Sequence, residues 1–362
     1  MKNLLVQKFF VRFVTLMVLP VLLFAAGCAT AKKPKDQIFF PAPPDEPRIQ
    51  YLTSFGAESD LGAQSSFSGF VLGQEKVHRP IWKPYGIAAT PGMIYVCDTM
   101  PANVGIIDLA KGRMHYLRPS GQGMLRMPIA VAVAGDGTRY VSDTARGQVL
   151  IYDKADEYLG AIGKSEEMKP CGLQIAGNRI YIADIKKENH CVQVYDRTTR
   201  ERLFSIPRDP NDEKARLFQP ANLAIDAQGR VLVSDMGSYC VQIFDSEGKH
   251  LQTVGEQGDT PGRFVRNKGI AVDHDGRFYV VDTDTTVVQL FDKEGRLLMF
   301  FGLPKDSGPA GLYLPAVVCV DYDNVKYFEK HVAPGQKLEY IIYVTNQVGP
   351  NKVSVFGFLK KS

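Results

Sequence analysis

The sequence predicts an all-β fold, a six-bladed β-propeller with four antiparallel strands per blade. Three observations predict it: a short phrase that recurs six times at intervals of 42 to 50 residues, a second phrase ending in a carboxylate or amide after each copy, and one strand left over at the N-terminal end. A β-rich period of that size belongs to propeller blades rather than helical solenoids.

Taken in order, the first phrase reads Pro84-Tyr85-Gly86-Ile87-Ala88, Pro128-Ile129-Ala130-Val131-Ala132, Pro170-Cys171-Gly172-Leu173 and Pro220-Ala221-Asn222-Leu223-Ala224. Asn267-Lys268-Gly269-Ile270-Ala271, with asparagine for proline, and Pro315-Ala316-Val317-Val318 complete the set. The second phrase ends at Asp98, Asp143, Asp184, Asp235, Asp282 and, in the sixth copy, Asn346. A third, alternating run follows, such as Val241-Gln242-Ile243-Phe244-Asp245, and after a charged turn (Ser246-Glu247-Gly248-Lys249) a fourth, His250-Leu251-Gln252-Thr253-Val254-Gly255. Short β-branched and aromatic runs parted by Gly and Asp turns are strands joined by hairpins. Four of them make one blade.

The sixth repeat carries an insertion from Asp323 to Leu338 and stops after three strands, around Val317–Val320, Leu338–Thr345 and Val353–Phe358. Arg48-Ile49-Gln50-Tyr51-Leu52-Thr53-Ser54-Phe55-Gly56 stands alone before the first blade and matches the fourth-strand phrase Gly295-Arg296-Leu297-Leu298-Met299-Phe300-Phe301-Gly302. The N-terminal strand is therefore expected to complete blade six, which joins the chain ends and removes an open sheet edge.

What precedes that strand is of another kind. Lys2, Lys8 and Arg12 form a positive head, Phe13 to Phe24 a mostly apolar stretch, and Ala25-Ala26-Gly27 leads into Cys28. Residues 1–27 thus read as a secretory signal. Ala25-Ala26-Gly27-Cys28 resembles the bacterial lipobox, a likeness that implies cleavage before Cys28 and acylation of its thiol. Two or more acyl chains anchor a protein stably. Residues 28–47 are Pro-rich and charged, and read as the lipidated cysteine and an extended tether to a propeller over 48–362. Ala29 stands where the familiar inner-membrane retention signal has an aspartate, so the expected address is the outer membrane, on its periplasmic or cell-surface side.

The formal net charge of +4 falls to +1 once Lys2, Lys8 and Arg12 are removed. No basic stripe remains for a nucleic acid. Cys97, Cys171, Cys191, Cys240 and Cys319 are odd in number, match no zinc spacing, and mostly sit in apolar strand runs where cysteine packs as a small hydrophobe. Cys191 and Cys240, at matching blade positions, are the expected exceptions.

From Arg48 onward the phrases resemble the NHL-repeat family. Gly262-x-Phe264 before Gly269-Ile270-Ala271-Val272-Asp273, then Gly276-Arg277-Phe278-Tyr279-Val280-Val281-Asp282, carries that resemblance most fully. The whole, with the tether and Phe39-Phe40-Pro41-Ala42-Pro43-Pro44, is similar to six-bladed propeller lipoproteins of anaerobic, cytochrome-rich bacteria. That likeness implies envelope-protein partners, with multihaem cytochrome systems as the neighbourhood.

Candidate chemistry belongs on the face shared by the strand-two-to-three turns and the blade-to-blade connections. There, Asp98, Asp143, Asp184, Asp235, Asp282 and Asn346 are either a ring of ligands at the channel mouth or turn caps accepting backbone N–H bonds. Recurrence once per blade favours caps, because a ligand site breaks symmetry. His190, beside Lys186 and Lys187, is the one histidine near that face, and the histidine positions assemble no zinc cluster. No catalytic residue, metal site or cofactor motif is expected, since nucleophile elbow, phosphate loop and His-Glu-x-x-His are absent from the sequence. Trp82, Leu125, Phe218, Phe264 and Tyr313, before the blade openings, serve either blade packing or a protein-binding surface. The expectation is a membrane-anchored binding or scaffold module. A metal-dependent hydrolase or lyase, or a small-ligand sensor at the channel mouth, are the alternatives.

Overall fold

The computed structural model describes residues 37–61, 79–186 and 190–361. The signal at 1–27, the anchor Cys28 and the tether as far as residue 36 lie outside them, as do Lys187 and the stretch 62–78. From Ile38 onward the chain forms one unit.

Strands β1 (Phe39–Phe40) and β2 (Ile49–Phe55) precede the first blade. Blade one is β3–β6 (Pro84–Thr90, Met93–Asp98, Asn103–Asp108, Arg113–Tyr116) and blade two β7–β10 (Pro128–Val133, Arg139–Asp143, Gln148–Tyr152, Tyr158–Ile162). Blade three is β11–β14 (Pro170–Ala176, Arg179–Asp184, Cys191–Asp196, Arg202–Ile206) and blade four β15–β18 (Pro220–Ile225, Val231–Asp235, Cys240–Phe244, His250–Val254). Blade five is β19–β22 (Asn267–Val272, Phe278–Asp282, Val287–Phe291, Leu297–Phe301). Blade six has β23 (Pro315–Asp321), β24 (Leu338–Asn346) and β25 (Val353–Leu359), and the order β1-β2-β25-β24-β23 completes it with the N-terminal strand. The first strands of all six blades line one axial cavity, so the sheets stand in a ring.

The closure is specific in register. Ile49 pairs with Phe358 and Phe55 with Val353, with a bulge between Tyr51 and Thr53. The fourth strands of blades two to five carry the same irregularity, for example between Leu290 and Phe291 of its partner. Strand β2 therefore behaves as an ordinary fourth strand contributed from the other terminus.

One expectation is corrected. The tether read over 28–47 does not extend to residue 47, because Phe39–Phe40 pairs antiparallel with β2 as a fifth strand of blade six. Phe40 is buried against Phe301 and Phe356, ring centroids 6.2 Å away in each case. Two adjacent phenylalanines have too much apolar surface to hold in water when a sheet edge is within reach. Pro41 to Pro47 is the connection that turns the chain back.

Inner strands meet in two ways. A Cβ on Gly86, Gly172 or Gly269 would lie 2.8 Å from the Cα of Ala130 or Asn222, or 2.4 Å from that of Val317, respectively, so blades one, three and five press bare backbone on blades two, four and six. At the other three joints a hydroxyl intervenes. Ser142 Oγ donates to Cys171 O, Ser234 Oγ accepts from Asn267 Nδ2, and Thr345 Oγ1 donates to Tyr85 O.

The insertion in blade six reinforces ring closure on the hairpin side. Asn324 accepts from Gly92 N and donates to Thr90 O, both in the first hairpin of blade one. Gln50 of β2 donates to His331 O and accepts from Ala333 N.

Candidate functional site

Turns and connections do share a face. The residue after each carboxylate position donates its N–H to the carbonyl just before the blade opens: Thr99 to Lys83, Thr144 to Met127, Ile185 to Lys169, Met236 to Gln219, Thr283 to Arg266 and Gln347 to Leu314. In each blade the opening residue, proline or Asn267, stands opposite the carboxylate or amide, and the ladder shifts register directly afterwards. A proline without an N–H cannot continue the ladder, and a bulge follows.

The carboxylates bind the backbone that enters their own blade. Asp98 accepts from Trp82 N (2.7 Å) and Lys83 N (2.8 Å), Asp143 from Arg126 N and Met127 N, and Asp184 from Lys169 N. Asp235 accepts from Phe218 N and Gln219 N, Asp282 from Val265 N and Arg266 N, and Asn346 Oδ1 from Tyr313 N. Caps on the following turn occur as well, at Arg146 N, Lys186 N and Ser238 Oγ. All six side chains are buried, and both oxygens of every carboxylate already accept hydrogen bonds. The sequence reading missed that these residues clamp the incoming connection. Asn346 shows the reason for the one amide: its Nδ2 donates to Asn351 O and Ser354 Oγ, which a carboxylate could not do.

Below this layer the axis holds a cavity of about 280 Å³, lined by aliphatic side chains such as Ile87, Val131, Leu173 and Ile270, with Gln174, Asn222 and Cys319 as polar elements. Among the described residues no charged side chain lines it. Among the described residues no three His, Cys, Asp or Glu side chains converge where they could hold a metal.

The second residue of the opening phrase stands one step nearer the connection face, in the series Tyr85, Ile129, Cys171, Ala221, Lys268 and Ala316. Only Lys268 is charged. It is 8% exposed, and its Nζ lies 5.7 Å from the centre of the Tyr85 ring. Desolvation first, then the cations Arg266 and Lys83, bring its pKa down to about 8, with Asp284 opposing. Asp284 itself faces Arg266 at 3.6 Å. The two positions before each opening hold Lys83, Arg126, Lys169 and Arg266 and no acid, which gives the mouth a basic inner rim. The repeat itself hides Lys268, since the phrases align on what they share; down this one column the lone charge stands out.

The remaining candidates have local explanations. The five cysteines among the described residues are free. Cys191 and Cys240, expected as exceptions, are buried like Cys97 and Cys171, and burial pushes both thiols up to about 12. Thiols held so far from thiolate are unreactive. Cys171 Sγ turns to Pro220 O (3.0 Å) and Ala183 O. His274 stacks on Tyr322 at 3.7 Å, and His250 contacts Gln242 and Thr253. Residues 187–189, just before His190, lie outside the described residues, while Lys186 Nζ donates to Glu166 O. Leu125 and Phe264 pack between blades, whereas Trp82 and Phe218 stay about half exposed.

A family model described as a 6-bladed beta-propeller matches residues 211–358. The fold is a six-bladed β-propeller. Among solved structures, the propeller is similar to a structural genomics protein of unknown function from Bacteroides thetaiotaomicron, with TM-score 0.58 and 16% identity over 86% of this chain and 76% of that one. It is also similar to a streptogramin B lyase (TM-score 0.52, 12% identity, 87% of this chain and 89% of that one) and to Kuenenia stuttgartiensis hydrazine synthase (0.52, 15%, 78% and 97%). At these identities the likeness concerns the fold. No curated protein matches the chain in sequence.

Proposed function

We propose that this propeller is a non-enzymatic binding or scaffold module of the NHL-repeat type, held on the outer membrane through Cys28, which docks an envelope protein on its connection face. The observation that supports this reading is where large apolar side chains remain exposed. Of twelve among the described residues, seven stand on the connection face and five on outermost strands, none on the hairpin face. Leu314, Val348, Trp82, Met100, Met124 and Met127 form an arc over blades six, one and two, with Met100 68% and Trp82 53% exposed. Exposed apolar patches rimmed by polar residues mark interaction surfaces, tryptophan is a frequent anchor, and methionine adapts its shape to a partner. The basic rim beside the arc favours a partner whose apolar segment is flanked by acids. Multihaem cytochrome systems, implied by the sequence resemblance, are where a partner is sought first. The fold alone does not choose a function, since similar structures include a lyase.

The test uses the full chain in membranes. Tagged wild type is expected to retain one stoichiometric envelope protein after crosslinking, and Trp82→Ala with Met124→Ser to lose it while the melting temperature stays within about 2 °C, as for surface changes. Retention by the double variant overturns the reading, and a bound equivalent of metal in the purified protein favours the enzyme. Cys28→Ser is expected to release the chain from membranes.

A further inference from the structure

A lysine at a channel mouth is ordinarily solvated or paired. Lys268 is neither. It is nine-tenths buried, and among the described residues its Nζ has no hydrogen-bond acceptor and no ion-pair partner, only the face of Tyr85. Its charged neighbours are chiefly of the same sign, Arg266 and Lys83, and the carboxylate within reach, Asp284, already faces Arg266. A buried ammonium without an anion is costly, and the other five blades show what the position takes for packing alone: tyrosine, isoleucine, cysteine and two alanines. Among the described residues the chain offers this charge no anion, and a ligand entering from the channel can reach it.

We propose that the mouth of the central channel is a binding site for a small oxyanion, a carboxylate or phosphate group, held by the Lys268 ammonium against Tyr85 and flanked by Arg266 and Lys83. One oxyanion offsets the mutual repulsion of Lys268, Arg266 and Lys83, and its entry needs no rearrangement of the buried carboxylates, which are engaged with backbone. Tyr85 walls the site with a flat apolar face, so ligands carrying a planar or apolar group next to the anion are favoured. The inference goes beyond partner docking and does not depend on what covers the rim.

Phosphate and acetate serve as probes, titrated calorimetrically into the full-chain protein in detergent. Acetate keeps one charge between pH 7 and 9.5, so its pH dependence reports the protein. The lysine loses its proton near pH 8. Acetate binding is therefore expected to saturate at pH 7 and to weaken at least tenfold by pH 9.5. Lys268→Met is expected to weaken both probes at least tenfold at pH 7. Lys268→Arg, which keeps the charge, is expected to retain binding and to abolish the pH dependence. It also keeps the test alive should the methionine variant fail to fold. Saturation by phosphate alone, or by acetate alone, identifies the headgroup. No saturable binding of either, or unchanged binding in Lys268→Met, overturns the proposal. Partner capture is read in a separate assay, so either idea can fail without the other.

Discussion

Where blade five meets blade six, inner strands touch backbone to backbone at Gly269 and Val317; where blade six meets blade one, the hydroxyl of Thr345 stands between them. The two kinds of joint alternate around the ring, a bare glycine at three and a hydroxyl at the other three. Glycine is needed at the tight joint for space rather than for an unusual backbone angle. The hydroxyl joint is polar: Ser142 and Thr345 satisfy the carbonyls of Cys171 and Tyr85 in the bulged blade openings, and Ser234 accepts from the Asn267 side chain. The alternation also sorts the residues at the mouth. Tyr85, Cys171 and Lys268 come from the three glycine-bearing blades, and Ile129, Ala221 and Ala316, all aliphatic, from the others. A repeat protein thereby gains an asymmetric centre without breaking its scaffold.

The most damaging single change attacks the tight joint. Gly269→Ala places a Cβ 2.4 Å from Val317 Cα, and backbone on both sides leaves nothing flexible to yield. A loss of about 3 kcal/mol or more is expected in denaturant unfolding, at the high end for overpacking. The converse change at an even blade, Ala130→Gly, is expected to cost only about 1 kcal/mol. Equal effects from the two would mean that the alternation has no energetic content.

The hydroxyl joint is probed by Thr345→Val, nearly isosteric. Thr345 is fully buried, accepts from Val317 N at 3.1 Å and donates to Tyr85 O at 2.6 Å. Losing it strands a buried donor and an acceptor, with an expected cost of about 1–3 kcal/mol. Because this joint closes the ring, the Val317 amide should also exchange its hydrogen faster, while the Gly269 amide at the tight joint stays protected. Uniform acceleration of both would show that the joints do not open separately.

Much of this architecture is legible in the sequence. Proline opens a blade where the ladder needs no N–H, Asp or Asn ends the second strand where backbone donors converge, and the stray strand at Ile49 has one vacancy to fill. Phe39–Phe40 is not legible, since two residues carry no periodicity and their Pro-rich surroundings resemble a linker. The alternation is written plainly, as Gly86, Ala130, Gly172, Asn222, Gly269 and Val317, but only in the differences between copies. The clamp by Asp98 and its equivalents needs three dimensions, because its donors lie about sixteen residues upstream.

The gentlest prediction concerns Lys268 and has the opposite sign. A lysine free in the unfolded chain titrates near 10.5, whereas in the fold Lys268 does so at about 8. Between those values the unfolded chain holds a proton that the folded one has released, so the contribution of this residue to stability rises with pH across the window. Below about pH 8 both states are protonated and the full cost of the buried charge is present. Lys268→Met removes that cost. At pH 7 in anion-free buffer it is expected to stabilise the propeller by roughly 1–3 kcal/mol, with the gain shrinking towards zero above pH 10.5. Thermal melts of the two proteins at pH 7 and 10.5 measure it, and saturating acetate at pH 7 should close the gap from the wild-type side. A variant less stable than wild type at pH 7 would mean that the ammonium is already satisfied within the chain, and the mouth would then differ from the two joints in residue names only.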